Sequence, residues 1–267
     1  MLKPQSAMQF FGLQYPPFAD TFNIQKPFQS KGETLIIQRT LALVQQGRSL
    51  AIYGDPGTGK SMLVKSIINE LDPKQYRCGI IPYGGMKPSL LTRDLCEEFG
   101  VSAAGRKNPL TRISHDFMRD DDKPFPVIIV DEAHEMENQS FLDLCSLLHN
   151  PHTRTTMSAL ILVGQPALKK KLDLDIFSPV KTRLTSIFSM PKLLYEESVE
   201  FLMHRMEVAK ANPAIFDQSA ITDIATDAKG NRRILMNLAT VCLEEAVRRN
   251  DQVVTSEIVA EMAETCL

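Results

Sequence analysis

The chain has 267 residues, 43% of them hydrophobic and 23% charged, with a formal net charge of −2. That length can bury one large core or two modest ones, and the balance is that of an ordinary globular protein. No apolar run approaches the roughly 18 residues of a bilayer span, no basic stretch followed by a continuous apolar run opens the chain, so no signal peptide is read, and five scattered cysteines without a C-x-x-C pair suggest neither a zinc site nor a disulfide framework. The cysteines read as indifferent thiols in a reducing cytoplasm. Charge is unevenly spread: residues 191–267 carry 8 basic and 13 acidic side chains, a balance of −5, which leaves +3 for residues 1–190. A polyanion would therefore meet the first part of the chain.

Residues 1–30, with "FFGLQYPPFADTFNIQKPF", are rich in Phe and Pro. Prolines 16, 17 and 27 argue against helix, so the segment reads as an extended arm whose Phe10, Phe11, Phe18 and Phe22 pack on the domain's shoulder. "GETLIIQRTLALVQQG", 32–47, has helical apolar spacing and a glycine stop. "SLAIYG", 49–54, is a short buried strand, and 60–71 is a helix. "CGIIPY", 78–83, is a second strand, followed by a helix at 89–100. "RISHDFMRD" is helical, "FPVIIVDEAH", 125–134, is the strongest strand, and "SFLDLCSLLHN" is helical again. "SALILVGQ", 158–165, and "SIFSMPKL" complete the strands. Strands alternate with helices and are continuous apolar runs, the pattern of a parallel sheet covered on both faces. After Pro191 only helical patterns remain, punctuated by Ser/Thr starts and Gly230. The expected organisation is an arm (1–30), an α/β domain (31–190) and an all-helical domain (191–267).

Gly54-Asp55-Pro56-Gly57-Thr58-Gly59-Lys60-Ser61 matches G-x-x-x-x-G-K-[ST] between a strand and a helix. In that context the glycines turn backbone N–H groups toward phosphate oxygens, Lys60 supplies a charge to the β/γ-phosphates, and Ser61 can ligate Mg²⁺ at a helix N-terminus. Residues from Gly54 to Met62 thus form the nucleotide cradle. About 70 residues on, the strand "VIIVDEAH" ends in Asp131 and Glu132. Asp131 is suited to hold the magnesium, and Glu132 to orient or deprotonate an attacking water. His134 reads as their polar neighbour rather than as a base or a metal ligand. The absence of a guanine-reading N-K-x-D motif favours ATP.

"FFGLQYPPF", "GDPGTGKS", "VIIVDEAHEM", "ALILVGQPAL" and "GNRRILMNLA", in that order, resemble the AAA+ ATPases and, more narrowly, the ExeA/TniB/TnsC-like group of transposition regulators and a secretion ATPase. The resemblance runs over essentially the whole chain. It implies a P-loop NTPase fold, a parallel sheet sandwiched by helices, followed by a small helical lid. It also implies that Gln165 is a sensor of the γ-phosphate or the lytic water, that an arginine opening a lid helix is a second sensor, and that Arg183 is a finger reaching a neighbouring subunit's nucleotide. Arg233 fits the second sensor, but Arg232 stands where the group usually has proline, so both remain candidates; Lys181 competes with Arg183.

AAA+ architecture does not fix the task. The reading taken from this resemblance is a regulator of DNA transposition: a homo-oligomeric ring or helical filament on double-stranded DNA that meets a transposase, and possibly a target-selection protein. Lys87, Arg106 and Lys107, with glycines 84, 85 and 105 nearby, are the expected backbone contacts, and Lys169, Lys170 and Lys171 form a second basic cluster. The alternatives are a secretion-type ATPase and a replication initiator or helicase loader. Because Leu267 follows the lid directly, no membrane span or wall-binding domain of the secretion kind is expected. A nucleotide switch, with hydrolysis as a timer, is a further reading.

Overall fold

A computed structural model describes residues 6–19, 27–83, 85–104, 108–118, 123–150 and 152–266. Contacts divide the chain into two compact units, one of Lys31–Met190 and one of Pro191–Leu267 together with Met1–Ser30. The first described element is a single turn, α1 (Ala7–Phe10), capped by the Ser6 hydroxyl, which accepts from the Gln9 amide. It lies upstream of the prolines that were expected to keep the arm extended.

The larger unit runs α2 (Lys31–Gln45), β1 (Ser49–Tyr53), α3 (Lys60–Glu70), β2 (Tyr76–Pro82), α4 (Pro88–Glu98), α5 (Pro109–Phe117), β3 (Phe125–Asp131), α6 (Asn138–Ser146), β4 (Ala159–Gly164), α7 (Pro166–Leu172), α8 (Ser178–Lys181) and β5 (Leu184–Ser189). The five strands form one parallel sheet in the order β2-β3-β4-β1-β5. Successive side chains on a strand point to opposite faces, and both faces here are covered. Val127 and Ile129 of β3 and Ile161 and Val163 of β4 pack with residues of α2 and α3. Ile128 and Val130, Leu160 and Leu162 pack with residues of α4, α5 and α6. Two covered faces explain why the central strands read as unbroken apolar runs. The edge strands β2 and β5 are only partly buried.

Helix α7 is an element the sequence left unassigned. It is only seven residues long and starts with Pro166 at its first position, where the missing N–H costs nothing.

The second unit contains α9 (Tyr195–Val208), α10 (Gln218–Asp227), α11 (Arg232–Arg249) and α12 (Ser256–Cys266) around their own core, which includes Leu202, Ile224, Leu238 and Val259. Leu13 and Phe18 of the arm enter this core, Phe18 meeting Phe216 edge-to-face at 5.9 Å. The buried Arg205 of α9 fastens the arm, donating to the carbonyls of Pro17 at 2.6 Å and Ala19 at 2.8 Å. Phe11 packs against the same core, and Phe22 lies outside the described residues. Among the described residues no helix is long and apolar enough to cross a membrane. Cys78 and Cys145 are free thiols pushed up to about 11 by burial, as suits inert cysteines.

Candidate nucleotide site

In a parallel sheet, ligands collect beyond the carboxyl ends of the strands. Here β1 ends in the glycine loop, β3 in the acid pair and β4 in Gln165. Backbone ties the β1 end to its two neighbours: the Gly54 amide donates to the Gly164 carbonyl at 3.1 Å, and the Met190 amide to the Tyr53 carbonyl at 2.7 Å. Residue 54 must be glycine because a Cβ there would lie 2.7 Å from the Met190 side chain. At the loop's end Gly59 has φ +100°, a left-handed conformation that relieves it of a Cβ and turns the chain into α3.

Inside the loop, the Thr58 hydroxyl donates to the Asp55 carbonyl at 2.8 Å. The Lys60 ammonium is folded over the loop, donating to the carbonyls of Gly54 at 2.9 Å and Asp55 at 3.0 Å, and the residue is only 6% exposed. Helix α3 begins at Lys60, so its positive N-terminal end follows directly on the loop. The Ser61 hydroxyl donates to Asp131 Oδ2 at 3.2 Å across 70 residues of sequence. The other oxygen of that carboxylate accepts from the Glu132 amide at 2.9 Å. Glu132 itself stands at φ +54°. A non-glycine residue in that region costs roughly 1–3 kcal/mol, strain characteristic of functional positions.

One oxygen of Glu132, Oε2, lies 3.2 Å from His134 Nδ1. The Gln165 amide approaches the same nitrogen at 3.5 Å. Lys171 of α7 holds the intervening turn, donating to the carbonyls of His134 and Met136, each at 2.7 Å. Burial pulls the Lys171 ammonium below its ordinary value, with Glu135 opposing that shift. The sequence reads His134 as a polar neighbour of the acids, whereas its approach to the Gln165 backbone amide and the Lys171 clamp carry no local signal.

The remaining expected residues fall as follows. Lys181 is tied to Asp173 at 2.7 Å, and Asp173 also holds Lys169 at 2.7 Å. These two ammonium groups draw the Asp173 carboxyl down to about 2. Arg183 is exposed and rests on the Pro179 carbonyl at 2.5 Å. In the helical unit, Arg232 is buried between the rings of Phe28 and Phe201, at 5.8 and 5.4 Å from their centroids, whereas Arg233 is exposed on the first turn of α11. Lys87 is exposed immediately before α4; Arg106 and Lys107 lie outside the described residues, as do glycines 84 and 105. The basic cluster 169–171 is not a free cationic patch: Lys169 and Lys171 are engaged within the unit and only Lys170 is an exposed cation without an assigned contact of that kind.

These residues fit a magnesium-bound nucleoside triphosphate. The Ser61 hydroxyl and an Asp131 oxygen are hard ligands already in contact, and Lys60 occupies carbonyl partners it can exchange for phosphate oxygens. Among the described residues no cluster of three or more His, Cys, Asp and Glu could hold a metal by itself. A magnesium–ATP complex supplies the transferable phosphoryl group and the divalent charge that offsets its developing negative charge. With such a complex bound, the chain's part would be positional: loop amides and Lys60 would hold the phosphates, Ser61 and Asp131 would hold the ion, and Glu132 would direct water.

The sheet order, the glycine loop and the acid pair are those of a P-loop nucleoside-triphosphatase fold. Residues 43–172, just under half of the chain, match the AAA domain family. The chain is 26% identical over 240 residues to General secretion pathway protein A of Aeromonas hydrophila, an alignment covering 85% of this chain and 42% of that protein. It thus spans less than half the length of that relative. Among solved structures it resembles Cdc6p from Pyrobaculum aerophilum, with a TM-score of 0.73 at 11% identity over 94% of this chain and 70% of the other. It also resembles the Aeropyrum pernix ORC1 protein in complex with DNA, with a TM-score of 0.68 at 16% identity over 90% and 66%. At such identities these two likenesses bear on the fold alone. The fold and the AAA match together define an ATPase.

Proposed function

We propose that this chain is an ATP-dependent, DNA-binding AAA+ regulator of transposition. ATP-bound copies assemble on duplex DNA as a ring or helical filament, recruit or activate a transposase at the target, and come apart when ATP is hydrolysed. The observation that carries the nucleotide part of this reading is the Ser61–Asp131 contact beneath the loop, which joins the two residues that would share a magnesium ion. Asp131, Glu132, Lys60 and Gln165 act in the same subunit; Arg183 serves a neighbour's nucleotide and Arg233 answers from the lid. Support for Arg183 over Lys181 is that the latter is paired with Asp173. Support for Arg233 over Arg232 is that the latter is sandwiched by two phenyl rings. The DNA part draws on the exposed Lys87 and on the order of the five motifs, and the structurally similar ORC1 protein was solved in complex with DNA.

A second reading is a secretion-type ATPase, favoured by the alignment with General secretion pathway protein A over 85% of the chain. A third is an initiator, favoured by the likeness to Cdc6p. Anisotropy of a labelled random-sequence duplex separates them, measured with ATP, a slowly hydrolysed analogue and ADP at two salt concentrations. The transposition reading expects tight, salt-sensitive binding with ATP or the analogue, lost with ADP and in Lys60→Ala. Addition of a transposase should then shift the complex or raise strand transfer. No binding in any nucleotide state would exclude both DNA readings in favour of a protein client.

A further inference from the structure

The acid pair and the Gln165 strand end are bridged by one ring nitrogen. His134 Nδ1 lies 3.2 Å from Glu132 Oε2 and 3.5 Å from the Gln165 amide. A single imidazole nitrogen cannot serve both neighbours at once. When it carries a proton it has nothing to offer an amide N–H and can turn to Glu132, whose Oε2 is buried without a hydrogen-bond partner in the present geometry. When the proton is on Nε2, Nδ1 accepts from the Gln165 amide and faces Glu132 with a lone pair. Neutral histidine has both tautomers, so the exchange needs no change of charge.

The ring is held for this role. The turn carrying His134 is fixed from α7 by Lys171, through the carbonyls of His134 and Met136 at 2.7 Å each. The side chain of His134 is 12% exposed, whereas that of Glu132 is 45% exposed. Glu132 is thus the movable member, and a buried ring is what it can lean on. The Gly164 position, just before Gln165, is equally close: a Cβ there would stand 3.2 Å from the His134 amide. A shift of the β4 end therefore bears directly on the turn.

We propose that His134 is a positioning residue that couples Glu132 to the Gln165 end of β4. One tautomer restrains the carboxylate away from the water it must direct. The other, engaged by the Gln165 amide, releases it. A nucleotide that draws Gln165 toward its γ-phosphate would thereby set the state of Glu132. This inference rests on the reading of Glu132 as the residue that directs water.

The test compares two polar replacements in the full chain. Asparagine puts its terminal polar group near the Nδ1 position, whereas glutamine carries it out toward Nε2. Steady-state ATP hydrolysis is measured with saturating DNA, and nucleotide affinity with a fluorescent ATP analogue. His134→Asn should keep kcat within about threefold of the parent, while His134→Gln and His134→Leu should lower it about tenfold or more, the range of a lost positioning contact. KM and analogue affinity should stay within about twofold throughout, which a general loss of structure would not allow. In Glu132→Gln, already inactive, adding His134→Gln should cost nothing further. Equal loss in the asparagine and glutamine variants, or loss of affinity along with rate, overturns the coupling. Unchanged kcat in Glu132→Gln alone would instead overturn the reading of Glu132 on which the proposal stands. If His134→Leu does not fold, the asparagine–glutamine contrast decides the matter unaided.

Discussion

Lys60 spends its free state on two loop carbonyls, and that choice has two separable consequences. The side chain shapes the loop through the Gly54 and Asp55 carbonyls, and in the proposed site it would be the charge that meets a triphosphate. Lys60→Ala should therefore lower ATP affinity by at least about tenfold, in line with the loss of a charge-assisted contact worth about 1.5–3 kcal/mol. The unliganded protein should also melt earlier, because the carbonyls of Gly54 and Asp55 lose their donor. Isothermal titration and a melting curve without nucleotide check the two halves. Unaltered affinity would remove Lys60 from the phosphate site. At this scale the sequence was informative where chemistry is local. The glycine loop and the acid pair each announce themselves within a few residues. The Lys171 clamp and the approach of His134 to Gln165 do not, because they cross 37 and 31 residues and exist only once strand order has set the elements side by side. The sequence favoured Arg233 yet left Arg232 open, since nothing local says that Phe28 and Phe201 will enclose one of them.

At the scale of elements, burial on both faces made β1, β3 and β4 legible as apolar runs, with ends read to within one residue for β1 and β4 and three residues too far for β3. Short elements escaped: α7 lies behind Gln165-Pro166, and α1 is a single turn. Helix α11 closes with a charge cluster that illustrates what such ends contribute. Glu245 accepts from Arg248 at 2.5 and 2.6 Å and from Arg249 at 2.6 Å, while Arg249 also pairs with Glu261 of α12. The hydrogen bonds to Arg248 and Arg249 hold the Glu245 carboxyl down to about 2 from its usual 4.5. A carboxyl whose pKa is lower in the folded state contributes its stability above the unfolded value and loses it as pH falls toward the folded one. Glu245→Gln should therefore melt below the parent at pH 7, with the gap narrowing as pH is lowered from about 4.5 toward 2. Melting curves of both proteins across that window check it. A constant gap would mean that Glu245 acts through packing rather than charge.

At the scale of the whole molecule, the question is whether one copy suffices for hydrolysis. The residues proposed for its own cradle are Lys60, Ser61, Asp131 and Glu132, whereas the exposed Arg183 donates to the Pro179 carbonyl, with Cys145 and His149 within its electrostatic reach. Lys181, two residues before it, is by contrast bound to Asp173. An arginine left open at the surface suits a role completed by another subunit, and a finger of that kind is worth about 10³–10⁵ in rate. Arg183→Ala should then bind ATP normally yet hydrolyse it at least about a hundredfold more slowly, while Lys181→Ala keeps most of its activity. The decisive experiment mixes two dead proteins. Lys60→Ala has a spoiled cradle but an intact Arg183; Arg183→Ala has the reverse. If the arginine works across a subunit boundary, mixing them restores part of the hydrolysis neither shows alone, and the recovered rate rises with total protein concentration. If Arg183 serves its own subunit, every protein in the mixture lacks one necessary group and activity stays at the sum of the two. That second result would make each copy a self-contained ATPase and would separate hydrolysis from assembly.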